Sequence, residues 1–182
     1  MRGMDADGVA SWRLAYDHVA RSLVDSVRKW AFKHWLALAT GLNALFVAMA
    51  LLTPVLAAWG YTSLATPLWN FYHLFCTQEH VYRLMGEPLA LCQRNLAIFT
   101  ATLLGMLCFS RARRHIMALS ALGYVLLALP MALDGLTQLA GLRESSVELR
   151  TFTGVLFGLA SIWYLFPTLD LAVQLKIENQ QV

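Results

Sequence analysis

Residues Trp35 to Trp59 read WLALATGLNALFVAMALLTPVLAAW, 25 positions without a charged residue. A helix of about 20 apolar residues crosses the hydrocarbon core of a bilayer. This stretch is therefore long enough to span with some tilt. A tryptophan closes each end, as suits side chains that settle at the headgroup boundary. Pro54 is placed to kink the distal part. The segment decides the fold class: an all-α, polytopic membrane protein.

The rest of the chain has the same character. Hydrophobic residues make up 58% and charged residues 14% of its 182 positions, where a soluble domain carries about 25% charged residues. The apolar residues fall into blocks with the charges between them. Three further spans are expected, at about 89–110, 116–133 and 151–169, giving a four-transmembrane-helix bundle over 35–182. Gly105, Gly154 and Gly158 offer small surfaces for close helix contact. Residues 62–75 are apolar but short, hold Pro67 and cluster Trp69, Phe71, Tyr72 and Phe75; they read as an interfacial or re-entrant piece.

Residues 1–34 are expected to form a cytoplasmic tail and an amphipathic surface helix. Trp12, Tyr16, Val19, Leu23, Val27 and Trp30 recur at three- and four-residue steps on one face. Arg13, Asp17, Arg21, Asp25 and Lys29 alternate in sign on another. Such a helix suits the inner membrane surface or a partner subunit. No cleavable signal peptide is expected, because charges run through the first thirty residues; the first span then serves as the targeting signal.

Lys and Arg set the orientation. With the N-terminus inside, ten of the fourteen lie on inner segments: six before the first span, Arg111, Arg113 and Arg114 between spans two and three, and Lys176. The positive-inside rule favours N-in and C-in across the inner (cytoplasmic) membrane. It also explains the 111–114 cluster without nucleic acid. The lipid bilayer is the expected partner, with other membrane subunits or a homo-oligomer as further possibilities.

In this topology the unusual polar residues gather at the outer ends of the spans: Cys76, Cys92, Arg94, Asp134, Arg143 and Arg150. An ionisable residue inside a span is costly, less so near an end where arginine can snorkel. Arg94 therefore either pairs with Asp134 in a buried outer-face site or reaches the headgroups. Cys76 and Cys92 lie 16 positions apart on the oxidising side. A disulfide there would stabilise by roughly 3 kcal/mol through loop closure. The alternatives are separate thiols or a zinc site from His73, Cys76, His80 and Cys92, whose spacing is not a standard zinc signature; no cofactor is otherwise expected. Cys108 reads as packing. A glycine-rich phosphate loop, a Gly-x-Ser-x-Gly elbow, a His-Glu-x-x-His helix and a bis-histidine haem pair are all missing from the sequence.

Two stretches carry a resemblance. The first is Cys76-Thr77-Gln78, Gly86, Pro88 and Cys92-Gln93-Arg94-Asn95. The second is Asp134-Gly135-Leu136-Thr137-Gln138, then Leu142-Arg143-Glu144-Ser145, Arg150, Thr153-Gly154 and Gly158. Together, over about residues 70–160, they resemble the DUF2085 family of predicted membrane proteins. That family has no established function to carry over. Its pattern has His and a further Cys where this chain has Thr77 and Asn95. That departure weakens a metal site and favours a structural disulfide. Arg94, Asp134, Gln138, Arg143, Ser145 and Arg150 keep the pattern.

Three functions compete. The first is a polar small-molecule or ion-binding site at the outer membrane face, possible also in an enzyme, built on Cys76, Gln78, Cys92, Arg94, Asp134, Gln138, Arg143, Ser145 and Arg150. The second is an accessory subunit of a larger membrane complex. The third is a thiol-redox protein using Cys76 and Cys92.

Overall fold

The computed structural model describes residues 6–113 and 115–178. Five helices and one hairpin follow in the order α1 (Ala6–Ala58), α2 (Thr62–His73), β1 (Val81–Leu84), β2 (Glu87–Cys92), α3 (Gln93–Ala112), α4 (Ala121–Leu139) and α5 (Val147–Glu178). Among the described residues, four stretches are long and apolar enough to cross a membrane: Lys33–Ala58 of α1, α3, α4, and Val147–Leu175 of α5. Connectivity places the ends of α1 and α4 and the starts of α3 and α5 at one end of the bundle, together with α2 and the hairpin. We call this the hairpin end.

The amphipathic segment and the first span are one helix. No Gly or Pro occurs between Val9 and Thr40, so nothing stops the hydrogen-bond ladder from running through. Most side chains of the amphipathic face, Trp12 to Leu23, lie outside the described residues; Val27 and Trp30 are exposed.

α2 has 12 residues, about 18 Å at 1.5 Å per residue, too short to span. It packs on α1 through fully buried Tyr72, whose hydroxyl donates to the Phe46 carbonyl at 2.6 Å. Phe46 in turn meets the Tyr72, Phe75 and Phe99 rings at centroid distances of 4.6–5.5 Å, within the range where edge and offset contacts are favourable.

The hairpin is an element that the sequence reading lacks. Leu84 pairs with Glu87, leaving Met85 and Gly86 as a two-residue turn with φ of 54° and 84°. Positive φ at both positions matches the twist of the flanking strands. Residues 89–92 thus belong to β2, and the second span begins at Gln93 rather than at 89. The third span also shifts, to Ala121–Leu139. Ser120 caps it by accepting from the Gly123 N–H at 3.1 Å. Asp134 consequently lies inside α4 instead of at its end.

Apolar side chains on these helices mostly point outward; Leu122, Leu126, Leu129 and Leu133 of α4 are all exposed. Lipid tails are as apolar as leucine, so burial does not drive such helices together, and close backbone approach must do so. The α3–α5 contact provides it. A Cβ on Gly154 would sit 2.8 Å from the Arg94 carbonyl oxygen, and one on Gly158 would sit 2.7 Å from that of Ile98. Gly154→Ala and Gly158→Ala are each expected to destabilise by about 1–3 kcal/mol through overpacking. Gly41→Ala, where a Cβ meets open space, is expected to be neutral or stabilising. Thermal unfolding in mild detergent checks the contrast.

Candidate functional site

Asp134 is the organising residue of the hairpin end. Only 2% of it is exposed, at a depth where an unpaired carboxylate would be costly. Two guanidiniums satisfy it. Arg94, in the first turn of α3, donates to Oδ2 at 2.5 Å. Arg143, in the loop after α4, donates to Oδ1 at 2.7 Å. The same Arg94 nitrogen also reaches the Gln138 amide oxygen, one turn further along α4, at 3.1 Å. Arg143 holds its place by donating from Nε to the Thr137 hydroxyl at 3.3 Å. The loop can fold back this way because α4 ends on Gly141 at φ 67°. Its N–H reaches the Gln138 carbonyl, while that of Leu142 reaches Thr137, a left-handed helix stop that favours glycine. Ser145, also buried, brings its hydroxyl beside the Asp134 carboxylate.

Arg150, in the first turn of α5, is 6% exposed. Its guanidinium makes a long hydrogen bond to the Gln93 amide oxygen at 3.5 Å, and among the described residues no carboxylate pairs with it. Its Nε and that of Arg94 are both buried without a partner. Arg94 and Arg150 meet at a cavity of about 360 Å³, within the range of small-molecule sites. Gln138, Gly135 and Leu139 of α4 form one wall; Thr77, Glu79, His80 and Cys92 form the other.

Cys76 and Cys92 are free thiols within hydrogen-bond reach of each other. The Cys92 S–H donated to Cys76, helped by the Gln78 N–H at 3.4 Å, lowers the Cys76 thiol to about 6 against the opposing effect of burial. The same contact, with burial, pushes Cys92 up. His73 turns Nδ1 toward the Gln78 amide oxygen at 3.1 Å. Among the described residues, no group of three or more His, Cys, Asp or Glu side chains is placed to hold a metal.

The structure thus brings together Arg94, Asp134, Gln138, Arg143, Ser145 and Arg150, with Cys92 on the cavity wall. Gln78 stands apart. It is buried, and its amide donates to the Trp69 and Ala90 carbonyls at 3.1 and 2.7 Å, tying α2 to β2. Asn95, which replaces a family cysteine, donates to the Phe75 carbonyl at 3.1 Å. A second ion pair, on a buried carboxylate, lies at the opposite end of the bundle. Arg113 grips Asp170 through two nitrogens, and Gln174 donates to the same carboxylate at 2.8 Å. The signal for it was an aspartate closing an apolar run at the level of the 111–115 basic cluster.

Removing the charge of Asp134 leaves two guanidiniums facing each other. Asp134→Asn is expected to destabilise by about 3–5 kcal/mol. Arg143→Ala, at a side chain 45% exposed, is expected to cost about 1 kcal/mol or less. Equal losses in thermal unfolding would contradict this ranking.

Comparison with known proteins agrees with the fold and leaves the chemistry open. A family model described as "Predicted membrane protein (DUF2085)" matches residues 76–164, the stretch that holds the thiols, the hairpin and the arginine–aspartate cluster. An uncharacterised protein of Methanocaldococcus jannaschii is 34% identical over 132 residues, covering 68% of this chain and 85% of the relative. No solved structure matches. With its fold, its motif residues and this relative in agreement, the chain belongs to the DUF2085 family of predicted membrane proteins.

Proposed function

We propose that the hairpin end faces outward from the cytoplasmic membrane, with both chain termini inside, and holds a binding site for a polar small molecule or ion. One observation carries the reading: a buried carboxylate, bracketed by two guanidiniums, adjoins a cavity of about 360 Å³ that also receives Arg150. The cluster leaves room beside Arg94, and polar residues of α3, α4, α5 and the hairpin region line it. The orientation rests on charge: Arg111 and Arg113 lie at the opposite end, as the positive-inside rule requires.

Gly135 lines the cavity, and a Cβ there would lie 3.5 Å from Arg94 Nη1, an ordinary contact. Gly135→Ala therefore fits, while Gly135→Leu extends into the space. In a thermal-shift screen of polar compounds in detergent, those that stabilise the wild type are expected to stabilise Gly135→Ala and to lose their effect on Gly135→Leu. Undiminished stabilisation of the leucine variant would place binding elsewhere.

The contact between the two thiols favours a second reading, a redox-active pair. On an oxidising face, Cys76 attacks a disulfide oxidant as thiolate. Cys92 then displaces the mixed disulfide, loses its proton and closes the Cys76–Cys92 bond, while the oxidant leaves as two thiols. Cys76 is expected to react with a membrane-impermeant maleimide in intact cells. In detergent, its alkylation rate should rise with pH through about 6 and level off above, because the thiolate is the nucleophile. Cys92→Ala should move that rise to higher pH by removing the S–H donor. Labelling only after permeabilisation, or a rise unmoved by Cys92→Ala, would count against the orientation and the pairing respectively.

A further inference from the structure

We infer that the cavity between α3, α4 and α5 takes a phosphate-type oxyanion, held by Arg150 together with Arg94; this rests on the binding-site reading above and names its ligand class. The inference follows from the local charge. Asp134 is one carboxylate shared by two guanidiniums. Arg150 adds a third cation with no ion-pair partner among the described residues, at 6% exposure. Arginine does not escape this by shedding its proton, and an isolated buried charge is strongly unfavourable. The acid on the cavity wall, Glu79, is exposed and pairs with neither arginine. Arg94 and Arg150 against Asp134 leave about one uncompensated positive charge in the interior, and half-exposed Arg143 adds a further cation at its edge, a balance that favours an anion.

The donor geometry narrows the class. The two buried Nε–H groups without partners belong to the arginines that line the cavity. Guanidinium forks suit oxyanions that accept several hydrogen bonds at once. The Gln138 amide and Thr77 hydroxyl add neutral donors on the walls. The N-terminus of α3, whose N-cap residue Cys92 also lines the cavity, contributes the positive end of its dipole. The volume accommodates a phosphate monoester, whether a soluble phosphate or the headgroup of an anionic lipid at the membrane surface.

The test uses the full chain. In detergent, inorganic phosphate is titrated against sodium chloride of equal ionic strength, with thermal unfolding and calorimetry as readouts. In nanodiscs, phosphatidic acid is compared with phosphatidylcholine. Stabilisation by inorganic phosphate points to a soluble ligand; stabilisation by phosphatidic acid alone points to a lipid headgroup. Either supports the inference if Arg150→Gln weakens the effect roughly ten- to a hundredfold, as loss of a charge-assisted contact predicts. Arg150→Gln should also leave the unliganded protein as stable as the wild type or more so, because it removes an unpaired charge; a merely structural arginine would give the reverse. Should that variant fail to fold, Gly135→Leu takes its place and must abolish phosphate binding. No response to phosphate in either arm, or a response unchanged in the variants, overturns the inference. If neutral compounds still bind in a Gly135-sensitive way, the binding-site reading stands while the oxyanion does not.

Discussion

Everything at the hairpin end depends on how closely the α3 and α5 backbones approach. Gly154 and Gly158 leave no room for a Cβ against the carbonyls of Arg94 and Ile98. In a bilayer this contact does not arise from squeezing out apolar surface, because lipid solvates leucine as well as protein does. It arises from dispersion between atoms that touch, and touching requires glycine. The carbonyl resting on Gly154 belongs to Arg94 itself. The residue that enters the ion cluster is thus positioned by its own backbone, and Arg150 lies one helical turn before that glycine on the facing helix. Packing and chemistry share the same few residues.

The Asp134 cluster follows from that placement. Its carboxylate is buried deeply enough to require partners, and α3 and the loop after α4 each supply one. Gln138 extends the Arg94 contact along α4, while Gly141 turns the chain so that Arg143 reaches back. At the far end, Arg113 and Asp170 join α3 to α5 again. Helices α3 and α5 are therefore closed by small residues along their length and by ion pairs near both ends, whereas α4 is held by the Asp134 cluster at the hairpin end and by Tyr124 stacked on Tyr164 at the other.

Much of this was legible in the sequence. Four apolar blocks separated by charges gave the number and order of the spans, with individual ends off by up to six residues; Arg94 stands out inside a block, whereas Asp134 reads as closing one and lies within α4. The hairpin was not legible, because Leu89, Ala90 and Leu91 continue directly into the apolar pattern of α3; three buried strand residues and the first turn of a span look alike in composition. Gln78 shows a different limit. It matched the family pattern beside Cys76 and so joined the candidate site, yet its amide is consumed by the Trp69 and Ala90 carbonyls. The isolation of Arg150 was invisible for a third reason. Whether a charge has a counter-ion depends on neighbours from other helices, and no local pattern encodes that.

Strand β2 runs into α3 without an intervening loop. Cys92 is the last strand residue and the helix N-cap, and the Gln93 N–H bonds the His80 carbonyl across the hairpin at 2.8 Å. Strand and helix are thus one continuous backbone, and the pairing irregularity of the hairpin lies on the other strand, between Val81 and Arg83. The turn at Met85–Gly86 and the start of α3, where Arg94 lies, are therefore opposite ends of one unbroken strand-to-helix segment. Arg94 follows two positions after the strand ends, so the residue that faces Asp134 is placed by the hairpin as much as by its own helix.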